Sequence, residues 1–247
     1  MQIIQRQNRD QLFHEDECFS ETNKSDNVVQ RYGYFISNGN VNIVLEYMDE
    51  GSLNTHYSPG NPIPDRVLRC IAWQLVEALR DLKNLKIIHR DIKPENILLN
   101  SCGDVKLSDF GTSRKATDSC STFVGTLRYM SPERLTSNSY SYRCDYWSMA
   151  MVIMEAALGF YPIRSASTHV EFETAVSSYD FKEYYQQLNP ELESFLMNWL
   201  QEDNRRILPE MMLKEEWLKL DGKRMTREDS TRVVADWLHE QRKGASK

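Results

Sequence analysis

The order of patterns along this chain predicts an α+β fold of two lobes, strands first and helices after, joined near Met48. Three observations carry that expectation. Two strand-like runs flank a turn before residue 48, a long helical period begins at Val67, and from Cys144 onward the sequence reads as helices.

Residues 1–27 are polar and resist assignment, although Leu12, Phe13, Cys18 and Phe19 are spaced to share a helix, with 20–27 as a loop. Val28, Val29, Tyr32, Tyr34, Phe35 and Ile36 form the first strand-like run and residues 41–47 the second. Ser37-Asn38-Gly39-Asn40 between them reads as a hairpin turn. After a Pro/Gly/Asn break at 59–64, Val67, Leu68, Ile71, Ala72, Leu75, Val76, Leu79 and Leu82 recur at three- and four-residue steps. That is an amphipathic helix. Short apolar runs at 97–99 and 105–107 enclose Asn100-Ser101-Cys102-Gly103-Asp104, a second hairpin. Residues 112–129 are a long Ser/Thr-rich loop, of the kind that is usually functional or disordered. Val233, Val234, Trp237 and Leu238 mark a closing helix on the lower lobe, with Thr226 or Asp229 as its cap.

Composition excludes several classes. A hydrophobic content of 40% and a charged content of 27% are close to globular averages. The net charge of −6 argues against a general nucleic-acid binder, which needs a basic face to displace counterions. No stretch reaches the roughly 20 apolar residues of a membrane span. The most apolar one, 147–161, is interrupted by Glu155 and reads as a buried helix. The first residues lack the apolar core of a signal peptide. Five cysteines (Cys18, Cys70, Cys102, Cys120 and Cys144) follow neither C-x-x-C nor zinc spacing, so reduced thiols in a cytoplasmic protein are expected. Cys120, among Ser119, Ser121 and Thr122, is expected in an exposed loop.

The chemistry concentrates in His89-Arg90-Asp91-Ile92-Lys93-Pro94-Glu95-Asn96, followed across the second hairpin by Asp109-Phe110-Gly111 and later by Ser131-Pro132-Glu133. Either of the first two alone could be chance; both, in this order, are not. They resemble the catalytic loop, metal-binding loop and activation-segment end of a protein kinase. The resemblance implies a two-lobed protein-kinase fold. A partial β-rich upper lobe would occupy residues 1–48, a complete helical lower lobe 49–220, and a helical tail 221–247. It implies ATP and Mg2+ as cofactors. Asp91 would accept the proton of the attacking hydroxyl and orient it, and Lys93 would neutralise charge on the transferring phosphoryl group. Asn96 and Asp109 would supply oxygens to magnesium.

Residues 43–53 resemble the kinase hinge. The Glu46 carbonyl and the Met48 amide would bond the adenine edge, with Leu45 as gatekeeper and Leu98 as the apolar floor. A buried edge strand is the plain reading of the same residues. Asp145 would bond the catalytic-loop backbone, and Glu133 would pair with Arg206. The stretches 125–135 and 159–163 are similar to the MAP kinase kinase branch. Lys93 and Thr126 fit a kinase of Ser/Thr, and that branch also accepts Tyr. A MAP kinase substrate and an upstream activating kinase follow, with neither nucleic acid nor membrane as partner. Arg90 would pair with a phosphate on the activation loop, for which Thr122 matches a family site. Asp118 would stand where a second phosphosite is found, with Thr117, Ser119 and Ser121 as nearby hydroxyls. The tail helix could instead dock an upstream kinase.

The sequence departs from the family upstream. It contains no Gly-rich loop, its first lysine is Lys24, and counting back from the hinge places the expected strand lysine before Met1. The partner glutamate falls on Arg9, Asp10, Glu15, Asp16 or Glu17, depending on where extra residues are placed. Three readings follow: a piece of an active kinase, a kinase-fold scaffold without turnover, or a Ser/Thr kinase of a neighbouring group. Retention of Asp91, Lys93, Asn96 and Asp109 together favours an active kinase over a scaffold. An incomplete upper sheet would expose an edge and an apolar face, so poor solubility is expected unless something covers them.

Overall fold

Strands β1 (Gln2–Arg6), β2 (Arg31–Ser37) and β3 (Asn40–Leu45) form an antiparallel sheet in the order β1–β3–β2. The computed structural model describes residues 2–6, 22–23, 25–37, 40–115, 127–136, 140–163, 169–178 and 180–245. Ser37 lies opposite Asn40, the register a two-residue Asn-Gly connection requires. Two features of this lobe differ from the sequence expectation. Residues 2–6, unassigned from composition, pair along β3 from Gln2 opposite Leu45 to Arg6 opposite Val41. Here a tertiary partner overrides weak local preference.

The run from Val28 to Ile36 also divides. Val28 and Val29 are buried but leave the upper sheet: Val28 bridges Leu107 in parallel, and the Val29 amide donates to the Leu107 carbonyl at 2.9 Å. Only from Arg31 does the chain join β2. Tyr32, Tyr34, Phe35 and Ile36 there are 45% to 68% exposed.

Below the hinge, β4 (Gly51–Ser52) leads into helix α1 (Asp65–Asn84), which buries one face from Val67 to Leu82. Strand β5 (Ile87–Ile88) precedes the catalytic-loop sequence. Strands β6 (Ile97–Leu99) and β7 (Val105–Leu107) form the expected second hairpin and join β4 in the order β4–β6–β7. Strand β8 (Arg114–Lys115), inside the segment expected to be loop, pairs with β5. Helix α2 (Pro132–Thr136) precedes α3 (Arg143–Leu158), which is buried on nearly all sides, as a helix apolar all round must be. It stops at Gly159, whose φ of +78° suits a left-handed C-cap; a Cβ there would lie 2.4 Å from the Ser58 carbonyl.

Helices α4 (His169–Ser177), α5 (Lys182–Tyr185), α6 (Pro190–Met197) and α7 (Pro209–Met212) complete the lower lobe. The expectation of helices alone after Cys144 is corrected by β9 (Lys219–Leu220) and β10 (Lys223–Arg224), an antiparallel pair. Asp221 and Gly222 connect them with φ of +52° and +73°. Such a pair of positive φ values is what a two-residue hairpin turn needs. Helix α8 (Arg227–Ala245) closes the chain against α1, with Val234, Trp237 and Leu238 in the main core. The Thr226 hydroxyl caps the helix by accepting from the Asp229 amide, and donates in turn to the Asp229 carboxylate.

One large core runs through the lower lobe. A second, small cluster of Val29, Ile43, Leu45 and Met48, with Leu98 packed against it, lies at the joint between the lobes.

Candidate functional site

The segment after β5 is irregular, and one buried carboxylate shapes it. Asp145, in the first turn of α3, accepts hydrogen bonds from the His89 amide (2.7 Å) and the Arg90 amide (2.9 Å). Burial pushes its carboxyl up, against the opposing pull of His89 and of the two amides. Arg90 has a φ of +74°, a backbone region an arginine rarely adopts, and its carbonyl accepts from Arg134 at 2.7 Å. The His89 ring bonds the Ser108 carbonyl at 2.9 Å and lies against Phe110 with ring centres 4.8 Å apart. Phe110 is buried, and Asp109 next to it holds a left-handed backbone at φ +59°, its carboxylate accepting from the Gly111 amide at 3.3 Å.

This scaffold brings the sequence-selected polar residues together. The Lys93 ammonium donates to the Asp91 carboxylate at 2.7 Å. The Asn96 side-chain amide donates to the Asp91 carbonyl (2.8 Å) and to the same carboxylate oxygen (3.1 Å). Two acceptors at the nitrogen fix the orientation of the Asn96 amide, so its oxygen faces away from Asp91. Both the amide and the hydroxyl of Ser108 donate to the Asn96 carbonyl, at 2.8 and 3.0 Å. That ties the residue before Asp109 directly to Asn96, so the two expected metal ligands stand on linked backbone. Among the described residues no group of three or more His, Cys, Asp or Glu side chains could hold a metal alone.

At the hinge, the Glu46 amide donates to the Gln30 carbonyl (2.8 Å) and the Met48 carbonyl accepts from Gly51 (3.2 Å). These are the complements of the two groups expected at an adenine edge. Leu98 is half-buried between fully buried Ile97 and Leu99 and turns to the Leu45–Met48 cluster. Glu133 and Arg206 form a two-pronged pair at 2.6 and 2.8 Å, with Arg206 fully buried over the Trp147 ring. Thr122 and Thr126 lie outside the described residues. So do Thr117, Asp118, Ser119, Cys120, Ser121 and the five candidate positions for the partner glutamate.

Sequence reasoning missed Lys106. It is buried, and its ammonium meets both carboxylate oxygens of Glu46 at 2.7 and 2.9 Å. The signal was present: a lysine at the centre of a short buried strand is rare without a partner.

A family model described as "Protein kinase domain" matches residues 2–218. The chain is 46% identical over 139 residues to "Mitogen-activated protein kinase kinase SIPKK" of Nicotiana tabacum, covering 55% of this chain and 39% of that protein. It is 45% identical over 143 residues to "Dual specificity mitogen-activated protein kinase kinase dSOR1" of Drosophila melanogaster (57% and 36%). It is 37% identical over 198 residues to "Mitogen-activated protein kinase kinase 2" of Arabidopsis thaliana (74% and 54%). The matched regions thus cover at most about half of these relatives' length.

Proposed function

This chain belongs to the protein kinase domain family, and we propose that it transfers the γ-phosphate of ATP to Ser, Thr and Tyr hydroxyls of a MAP kinase. The observation that carries this reading is the Asp91–Lys93–Asn96 cluster, locked by Asp145 and linked through Ser108 to Asp109. Asp91 is aimed by two donors, so its carboxylate can hold an incoming hydroxyl and take its proton as the nucleophile attacks. Lys93, a point charge beside that carboxylate, offsets negative charge on the transferring group. Glu46 and Met48 present main-chain groups to the adenine, and Leu98 supports it from below.

Magnesium fits the donor set. The Asn96 amide oxygen and the Asp109 carboxylate are hard oxygen donors, too few for a protein-only cage but suited to a cation that keeps water and phosphate in its shell. When bound, the ion neutralises charge on the phosphate oxygens.

The relatives' printed names support a MAP kinase substrate and an upstream activating kinase. Activation would run through phosphorylation of Thr122 and its pairing with Arg90, with Thr126 beside the substrate hydroxyl. No helix among the described residues is long and apolar enough to cross a membrane. Cys70, Cys102 and Cys144 are free thiols, which supports the cytoplasmic location we propose.

The test is transfer of labelled phosphate to an inactive MAP kinase. We expect Asp91→Asn to lower the rate about 10²–10⁴-fold. Undiminished transfer by Asp91→Asn would overturn the reading. A second reading, a scaffold without turnover, is favoured by β1, which lies beside the hinge strand and contains no lysine. Wild-type protein that captures the MAP kinase but transfers nothing would establish that reading instead.

A further inference from the structure

We infer that Lys106 is a positioning residue for the nucleotide: its ion pair with Glu46 sets the height of the hinge above the Leu98 floor. This rests on the nucleotide-binding reading given above and adds a residue that the reading does not use.

The geometry is specific. Lys106 sits in the middle of β7, and the register places it directly opposite Leu98 on β6. Cross-strand partners share a face of the sheet, so Lys106 and the floor residue point to the same side of the hairpin. That side meets the upper lobe, because Leu98 packs against the cluster of Ile43, Leu45 and Met48. The Lys106 ammonium reaches across to both oxygens of Glu46, whose carboxylate also accepts the Gln30 amide at 3.1 Å. Gln30 in turn returns the bond, its carbonyl accepting from the Glu46 amide. Glu46 is therefore clamped at side chain and main chain together, and its own carbonyl is the group assigned to the adenine edge.

Lys106 also stands near the other end of the site. It is separated from Asp109 only by Leu107 and Ser108; the Leu107 amide donates to the Asn27 carbonyl and its carbonyl accepts from the Val29 amide. The pair thus connects the strand that delivers Asp109 with the segment that reads the base. Burial matters to the argument. Lys106 is 7% exposed, so its charge is weakly screened and the geometry of the pair is held tightly. An exposed pair would have no such grip on the hinge.

The experiment measures binding of MgADP to the full chain by calorimetry, for wild type, Lys106→Met, Lys106→Arg, Glu46→Gln and the Lys106→Met/Glu46→Gln double variant, with KM and kcat for ATP alongside. We expect Lys106→Met to weaken MgADP by about tenfold or more, with the loss falling on KM for ATP rather than on kcat. Lys106→Arg, which keeps the charge, should recover most of the affinity. The double variant should lose less than the two single losses combined, since it leaves no uncompensated buried charge. If Lys106→Met does not melt cooperatively, Glu46→Gln and the double variant carry the same comparison. Equal MgADP affinity in wild type and the folded variants overturns the inference and leaves the kinase reading standing. Wild-type protein that binds no nucleotide overturns both.

Discussion

Asp145 accepts hydrogen bonds from the backbone amides of both His89 and Arg90, so one carboxylate on α3 fixes the two residues that precede Asp91. Arg90 holds a left-handed backbone at φ +74°, a conformation that persists only when its surroundings over-determine it. Asp145→Asn would turn an amide nitrogen toward one of these N–H groups or break the bond. We expect a stability loss of about 1–3 kcal/mol in denaturant unfolding, typical of a buried charge-assisted bond. Phosphate transfer should fall more than tenfold in protein that remains folded. A folded Asp145→Asn protein with wild-type turnover would remove this residue from the account.

The Glu133–Arg206 pair gives a pH signature. Burial alone raises the Glu133 carboxyl, but the hydrogen bonds and charge of Arg206, with help from Ser131, hold it below its ordinary value. A carboxylate lowered in the folded state contributes stability above its unfolded pKa and loses it as pH falls through the folded one. The unfolding free energies of wild type and Glu133→Gln should therefore differ most near neutral pH. They should converge only as pH falls below the ordinary glutamate range and through the lowered folded-state value. At pH 7, Glu133→Ala should cost about 3–5 kcal/mol, because Arg206 stays buried. A difference that does not vary with pH would mean that the pair's charge contributes nothing to folding.

Asp109 offers a metal-dependence test. Under the proposed function, transfer stops when EDTA removes magnesium. Asp109→Asn keeps the shape of the side chain but withdraws a negative oxygen donor. The magnesium concentration for half-maximal transfer should rise about tenfold or more. An unchanged magnesium dependence in Asp109→Asn would place the metal elsewhere.

The parts legible in the sequence were those fixed by local pattern or by chemistry. The period from Val67 to Leu82 became α1, and the Asn100–Asp104 turn became the β6–β7 connection, because short-range spacing determines both. The pairs Asp145–His89 and Glu133–Arg206 could be named only through the family resemblance, since their partners lie far apart in sequence. What escaped was set by tertiary contact. Strand β1 exists by pairing with β3, and Val28 and Val29 leave their apparent strand because Leu107 offers them backbone partners. The β9–β10 hairpin escaped for a different reason: its Asp221-Gly222 turn signal was in plain view, but strands of two residues carry no alternation to notice. Lys106 escaped because its partner Glu46 lies 60 residues away in sequence, beyond the reach of any local pattern.

Gly103 shows how closely the last helix is bound to the site's own hairpin. Its φ is +85°, its amide donates to the Asn100 carbonyl, and its carbonyl accepts from the Gln74 side chain at 3.0 Å. A Cβ at this position would lie 1.9 Å from the Thr231 carbonyl and 2.8 Å from the Ala235 amide, both on the backbone of α8. Arg227 reinforces the contact, bonding Asp104 at 2.8 Å and Asn27 at 2.7 Å. Gly103→Ala must therefore distort the turn, at about 1–2 kcal/mol for the left-handed backbone alone, or push α8 outward. Amide hydrogen exchange distinguishes the two. We expect exchange across α8 to accelerate while α1 and α3 stay protected, since they keep their own core contacts. Unchanged protection of α8 would show that the turn yields instead and that the helix is anchored mainly by Trp237 and Leu238.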